Sequence, residues 1–337
     1  MNEPARSEIW ERLTSYSDTF TCYSSAVATW VACERADWER VINPGLTLTV
    51  TEAGGGLFGF AHFPPALRAV LGLVRRGADD VGAAVEGVLA ELARSGRVIV
   101  AGDGFHLPWH VARGRRHVPH WYVLIDGGEG PEVVDPFACR NELGSQTPAL
   151  EPVALEHLGE LLAALPGDDR VPLLREALAL GDDAGPPPPW RHQWFVFDAV
   201  DGWQAPQGPS GDAAVARLAA HFREHGQRAD AYAQADDLWS IARHRAFLCA
   251  YAREVAQREA DGALEEWVTG HAEPLARRWG HIAPLIMQAT LAIGSGRAAS
   301  ASVPDTLDAL AVLERDAVAA FPAGPTGERT PEALEGP

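Results

Sequence analysis

The sequence predicts an α+β protein, a mixed α/β half followed by a mainly helical half. Two observations carry the prediction. Three short β-like runs, 97–101, 120–125 and 132–135, lie among helical stretches in the first 150 residues. Beyond them, alanine, leucine and charged residues recur at helical spacing through 151–180, 211–226, 229–260, 262–280 and 304–320. With 337 residues the chain is expected to form two domains, 1–148 and 149–322. A tail over 323–337, rich in Gly, Pro, Glu and Thr, is expected to be disordered.

A helix is expected from Cys22, since Tyr23, Val27, Trp30, Val31 and Glu34 then share one face. A glycine-rich turn follows at Glu52-Ala-Gly-Gly-Gly-Leu-Phe-Gly-Phe60. Two more helices are expected at 64–76, opening with Pro64-Pro65, and at 79–95, stopping before Gly96. The runs 120–125 and 132–135 are joined by Asp126-Gly-Gly-Glu-Gly130, whose glycines suit a hairpin connection. Gly185-Pro-Pro-Pro-Pro189 reads as a stiff linker.

Composition narrows the chemistry. A formal net charge of −18 argues against nucleic acid and anionic membranes as partners. No apolar run is long enough to span a bilayer, and MNEPARSEIWERL lacks the apolar core of a signal peptide, so a cytoplasmic location is expected. No lysine is present, which excludes Schiff-base chemistry on this chain. The four cysteines, Cys22, Cys33, Cys139 and Cys249, form no CxxC pair, so neither a disulfide framework nor a cysteine zinc site is expected.

Among them Cys22 stands apart. It follows the cap-forming residues Ser17, Asp18, Thr19 and Thr21 at a helix start, where unpaired N–H groups and the helix dipole favour a thiolate. Packing accounts for the other three, and a small buried cysteine is the plain alternative for Cys22 too. His120 opens one strand and Asp135 closes the next. An antiparallel register that pairs residues near 120 with residues near 135 brings imidazole and carboxylate within hydrogen-bond reach. Separately, each has a bland reading as a strand-start histidine or an Asp-Pro turn.

The order of cysteine at a helix start, histidine on a strand and aspartate on the next strand resembles papain and the bacteriocin-processing (C39) peptidases. More closely, the chain resembles the family named for protein H of butirosin biosynthesis. The stretches that carry the resemblance are Cys22-Tyr-Ser-Ser-Ala26, 52–60, Val98-Ile-Val-Ala-Gly-Asp-Gly-Phe-His-Leu-Pro-Trp109 and His120-Trp-Tyr-Val-Leu-Ile-Asp-Gly with Val-Val-Asp-Pro136, within residues 20–140. The resemblance implies a papain-like (C39-like) domain followed by a helical one. It implies an acyltransferase that moves an acyl group from a thioester, borne on the phosphopantetheine of an acyl carrier protein, to a small-molecule amine. Cys22 would be the nucleophile, His120 the proton shuttle and Asp135 its orienting partner. A peptidase or amidohydrolase, or a non-catalytic binding protein, would share the same framework. No cofactor of the protein's own is expected.

Around this trio the sequence offers Glu52, Gly55, Asp103, His106, Trp109, Arg115 and Arg116 as substrate-binding candidates. Asp103 is equally a strand-end turn residue, and the loop from Phe105 to His110 is either an acceptor pocket or a packed lid. Arg113-Gly-Arg-Arg-His117 is a dense basic patch that fits an acidic carrier or its phosphate, or simply balances local acid. The glycines at 54–56 lack the Lys-Ser/Thr of a P-loop, which leaves a close backbone approach to the site. No metal is expected, because the prolines among His106, His110, His117 and His120 break helical ligand spacing. No glutamine precedes Cys22, so the oxyanion donors are expected to be its own N–H and a hydroxyl of Tyr16, Ser17 or Thr19.

Overall fold

The computed structural model describes residues 3–43, 45–62, 72–164, 191–197 and 208–322. In chain order its first elements are α1 (Glu3–Thr14), α2 (Cys22–Ala32), α3 (Trp38–Val41), β1 (Thr49–Gly54), β2 (Leu57–Ala61), β3 (Leu73–Ala78) and α4 (Val81–Ser95). Next come β4 (Arg97–Asp103), β5 (Pro119–Asp126), β6 (Pro131–Asp135), β7 (Cys139–Asn141), β8 (Gly144–Gln146), β9 (Ala149–Pro152), α5 (Leu158–Leu161) and β10 (His192–Phe197). The rest is helical: α6 (Asp212–His225), α7 (Ala235–Glu259), α8 (Gly262–Trp267), a π turn over Val268–Ala272, α9 (Glu273–Trp279), α10 (Ile282–Gly294) and α11 (Ser302–Ala319). The chain is thus α+β, and no described helix is long and apolar enough to cross a membrane.

Two compact units divide it, Met1–Ile42 with Ala66–Trp203, and Asn43–Pro65 with Gln204–Pro337. This division does not coincide with a boundary between 148 and 149. Strands β9 and β10 complete the sheet of the first unit, and the β1–β2 hairpin belongs to the second.

The first unit is built on a six-stranded antiparallel sheet in the order β3-β10-β4-β5-β6-β9. Alternation along the strands sorts its two faces. Val98 and Val100 of β4, Tyr122 and Leu124 of β5, and Val133 of β6 form one core with Ala84, Val88 and Leu92 of α4 and Leu158 and Leu161 of α5. On the other face Trp121 meets Tyr23 of α2, ring centroids 4.6 Å apart, and Phe195 of β10 at 4.2 Å. Helix α4 starts on Asp80, whose carboxylate accepts the Ala83 N–H, and stops at Gly96 with φ 74°.

Two expected elements are corrected here. Leu73–Ala78, the end of the helix expected over 64–76, is a strand paired with His192–Phe197, and residues 63–71 lie outside the described residues. The helix expected over 151–180 opens instead with β9, whose Ala149 pairs with Asp135, followed by a short 3-10 turn and α5; residues 165–180 lie outside the described residues. The proline linker at 185–189 and the tail at 323–337 lie outside them as well.

In the second unit Leu48, Val50, Phe58 and Phe60 of the hairpin region share a core with Leu218, Ile241, Leu275 and Leu307 of the helices. The Gln234 amide mimics a neighbouring strand on β2, accepting the Phe58 N–H at 2.7 Å and donating to the Phe58 carbonyl at 2.7 Å. A fully buried ion pair joins Arg245 of α7 to Glu314 of α11 at 2.8 Å, and the Trp279 indole donates to the same carboxylate at 2.8 Å.

Candidate active site

Cys22 occupies the first turn of α2 because a reciprocal cap fixes that turn. The Thr21 hydroxyl accepts the Ser24 N–H, and the Ser24 hydroxyl accepts the Thr21 N–H at 2.7 Å. The cap leaves the Cys22 N–H, at the helix start, with no partner inside the helix. Cys22 itself is partly exposed.

Register brings the other two members together. Val123 pairs with Val134 and Leu124 with Val133, so the start of β5 and the end of β6 lie at the same end of the hairpin. The His120 Nε2 and Asp135 Oδ2 atoms lie 2.7 Å apart, both side chains fully buried. Cys22 lies close enough to the same imidazole for its thiol to act on the ring's charge. Asp135 is in turn held from several sides. Its Oδ2 accepts the Trp109 indole N–H at 2.8 Å and the Gln146 amide at 3.2 Å, while Oδ1 accepts the Phe137 N–H at 3.2 Å.

Electrostatics follow from this packing. Burial disfavours the His120 imidazolium, but the Asp135 charge and hydrogen bond, with the Cys22 thiol added, outweigh it and push His120 up to about 10. The neighbouring His110 ring, 4.5 Å from His120 between centroids, goes the other way. Burial first, then the charge of His120, lowers it to about 2, so a neutral His110 adds no charge beside the imidazolium. Its Nδ1 accepts the Ala112 N–H at 3.1 Å. A thiol, an imidazole and an anchored carboxylate in line are the parts needed to form and resolve an acyl-cysteine.

The remaining expected residues have other partners. Trp109, expected on the substrate side, is tied to Asp135 through its indole and stands edge-on to Tyr122. Glu52 and Gly55 fall in the second unit, where Glu52 pairs with Arg217 of α6. Gly54, Gly55 and Gly56 all have positive φ, and an added Cβ at each would meet open space among the described residues. The positive φ by itself accounts for glycine at those positions. Arg115 donates to the Leu143 carbonyl at 2.7 Å and Arg116 pairs with Glu142 at 3.1 Å, both well exposed. The Thr19 hydroxyl donates to the Tyr16 carbonyl at 2.7 Å, and the Tyr16 ring is buried edge-on against Trp38.

Asp103 and His106 meet His117, which the sequence reading had placed in the basic patch and had set aside as a metal ligand. Ligand atoms of these three lie within 4.8 Å of one another. Gln146 and the Phe137 N–H escaped the sequence reading altogether, and His110 entered it only as a loop or metal candidate, not as a neighbour of His120. None of them belongs to a periodic pattern or a motif; the turns after β6 and within the loop 104–118 bring them in.

Comparison with protein-family models matches none, and comparison with curated proteins likewise gives no match.

Proposed function

We propose that this chain is a cysteine-dependent acyltransferase with a papain-like first unit, transferring an acyl group from a carrier-borne thioester to an amine. The observation that carries the reading is the grouping of Cys22, His120 and Asp135, with both carboxylate oxygens of Asp135 held by donors that fix its angle. In the first half-reaction the Cys22 sulfur, its proton held by His120, attacks the thioester carbonyl. The C–S bond to the carrier breaks, and its thiol leaves with the proton from His120. In the second, an amine attacks the acyl-cysteine and gives its proton to the imidazole, and the Cys22 sulfur leaves. The Cys22 N–H at the start of α2 is aimed where the oxyanion forms. The exposed arginines 113, 115 and 116 are the natural dock for an acidic carrier in a specialised-metabolite pathway.

The test is product analysis. Protein incubated with acyl thioesters and a panel of amines should yield amide in excess of free acid, and none with Cys22→Ala. Free acid as the sole product at every amine concentration assigns a hydrolase of the same architecture. Loss of turnover with carrier-bound but not small thioesters on reversing Arg113 and Arg116 to glutamate would place the carrier on that patch.

A further inference from the structure

We propose that Asp103, His106 and His117 bind a divalent transition-metal ion at the base of the loop 104–118, in the first unit. The three side chains converge although ten residues separate the two histidines, because the loop closes on itself. The Gly104 N–H donates to the Val118 carbonyl at 2.8 Å, and the Gly114 N–H donates to the Phe105 carbonyl at 2.9 Å. Asp103 ends β4 and pairs with Pro119, the first residue of β5, so the loop starts and ends on adjacent strands.

Asp103 has the bearing of an oriented ligand. It is completely buried, and its Oδ1 accepts the Phe105 N–H at 3.0 Å and the Val118 N–H at 3.2 Å. That leaves Oδ2 to face His117, 2.5 Å from its Nδ1. Supporting hydrogen bonds of this kind are what set a ligating carboxylate. The His117 ring is itself stacked on Phe105 at 4.4 Å, interplanar angle 16°, which restricts its orientation. His106 and His117 are exposed, so an ion can enter. Bonds of about 2.0–2.1 Å in a tetrahedral ion place ligand atoms roughly 3.3 Å apart, within the spread of these three once His117 opens by less than about 1 Å. Two imidazoles and one carboxylate without sulfur suit Zn²⁺ and its first-row neighbours, and three protein ligands leave a position for water.

The site's consequence is mechanical. The loop it would clamp carries Trp109 and His110, which contact Asp135 and His120. An ion bridging the two ends of the loop removes freedom from that support.

The experiment uses full-length Cys22→Ala protein, so that binding at the thiol does not contribute and failure of the acyl-transfer reading leaves the outcome unaffected. Chelator-stripped protein is titrated calorimetrically with Zn²⁺, and with Co²⁺ by visible absorption. One equivalent should bind and raise Tm. His106→Ala should weaken binding by more than ~10-fold, the scale on which even supporting residues of metal sites act. His117→Ala should do the same, and His281→Ala, an exposed histidine elsewhere, should change nothing. Absence of stoichiometric binding, or a titration that survives His106→Ala unaltered, overturns the site. His106 is exposed, so its substitution leaves the fold to be verified simply by circular dichroism.

Discussion

At the scale of the residue, Asp135 is the best-anchored group of the candidate site. Four donors reach it: Trp109, Gln146, Phe137 and His120. Trp109→Phe keeps the ring against Tyr122 and removes one charge-assisted bond, so it should destabilise the first unit by about 1.5–3 kcal/mol in urea denaturation. The His120–Asp135 pair was legible in the sequence, since strand ends and a hairpin turn specify register. The indole and amide donors were not, because long-range hydrogen bonds leave no periodic trace. Cysteine reactivity divides in the same local terms. Burial raises the Cys33 thiol, and burial also raises Cys249. Peptide mapping after brief iodoacetamide treatment at neutral pH should therefore find Cys22 alkylated first; labelling of Cys33 or Cys249 ahead of it would contradict the site. Linkage gives a further expectation. His120 is raised from 6.5 to about 10, so the folded state holds its proton longer than the unfolded chain. Its stabilisation is complete below pH 6.5 and is lost as pH rises towards 10. His62 is the reverse: burial, then the charge of Arg245, lowers it to about 3, so folding loses stability as pH falls from 6.5 towards 3. His62→Leu should flatten that acid limb of the urea midpoint, and an unchanged limb would remove His62 as its source.

Among the elements, the loop 104–118 is tightly packed where it leaves β4. A Cβ at Gly104 would stand 2.6 Å from His110 Nδ1 and 2.7 Å from the Val118 side chain. Gly104→Ala should thus cost about 1–3 kcal/mol and displace His110 from beside His120, seen as a shift of both imidazole resonances. Strands β4, β5 and β6 were readable because they are continuous apolar runs with turn glycines between them. Strand β3 was not. Leu73-Val-Arg-Arg-Gly-Ala78 lies at the edge of the sheet among the described residues, and its strand partner there, His192–Phe197, lies more than a hundred residues away. A short amphipathic run whose partner is so distant carries no local sign of period two.

For the whole molecule, the hairpin Thr49–Ala61 was legible as a glycine turn but not as part of the second unit. Its allegiance is set by the burial of Val50, Phe58 and Phe60 among helices far along the chain. The helical half was the easier reading: α6, α7 and α11 fall close to the stretches their spacing indicated. What spacing did not show is that this unit is locked by Arg245 and Glu314, both wholly buried. Glu314→Ala strands a guanidinium in the core and should cost about 3–5 kcal/mol. A loss near zero by thermal denaturation would mean that water reaches Arg245.

Intact-protein mass spectrometry after mixing with an acyl thioester tests the role of Cys22 most directly. A single acyl adduct on the wild-type chain, absent in Cys22→Ala and discharged by amine, is the predicted result. No adduct across carrier-bound and small thioesters, or an adduct that persists in Cys22→Ala, would contradict it.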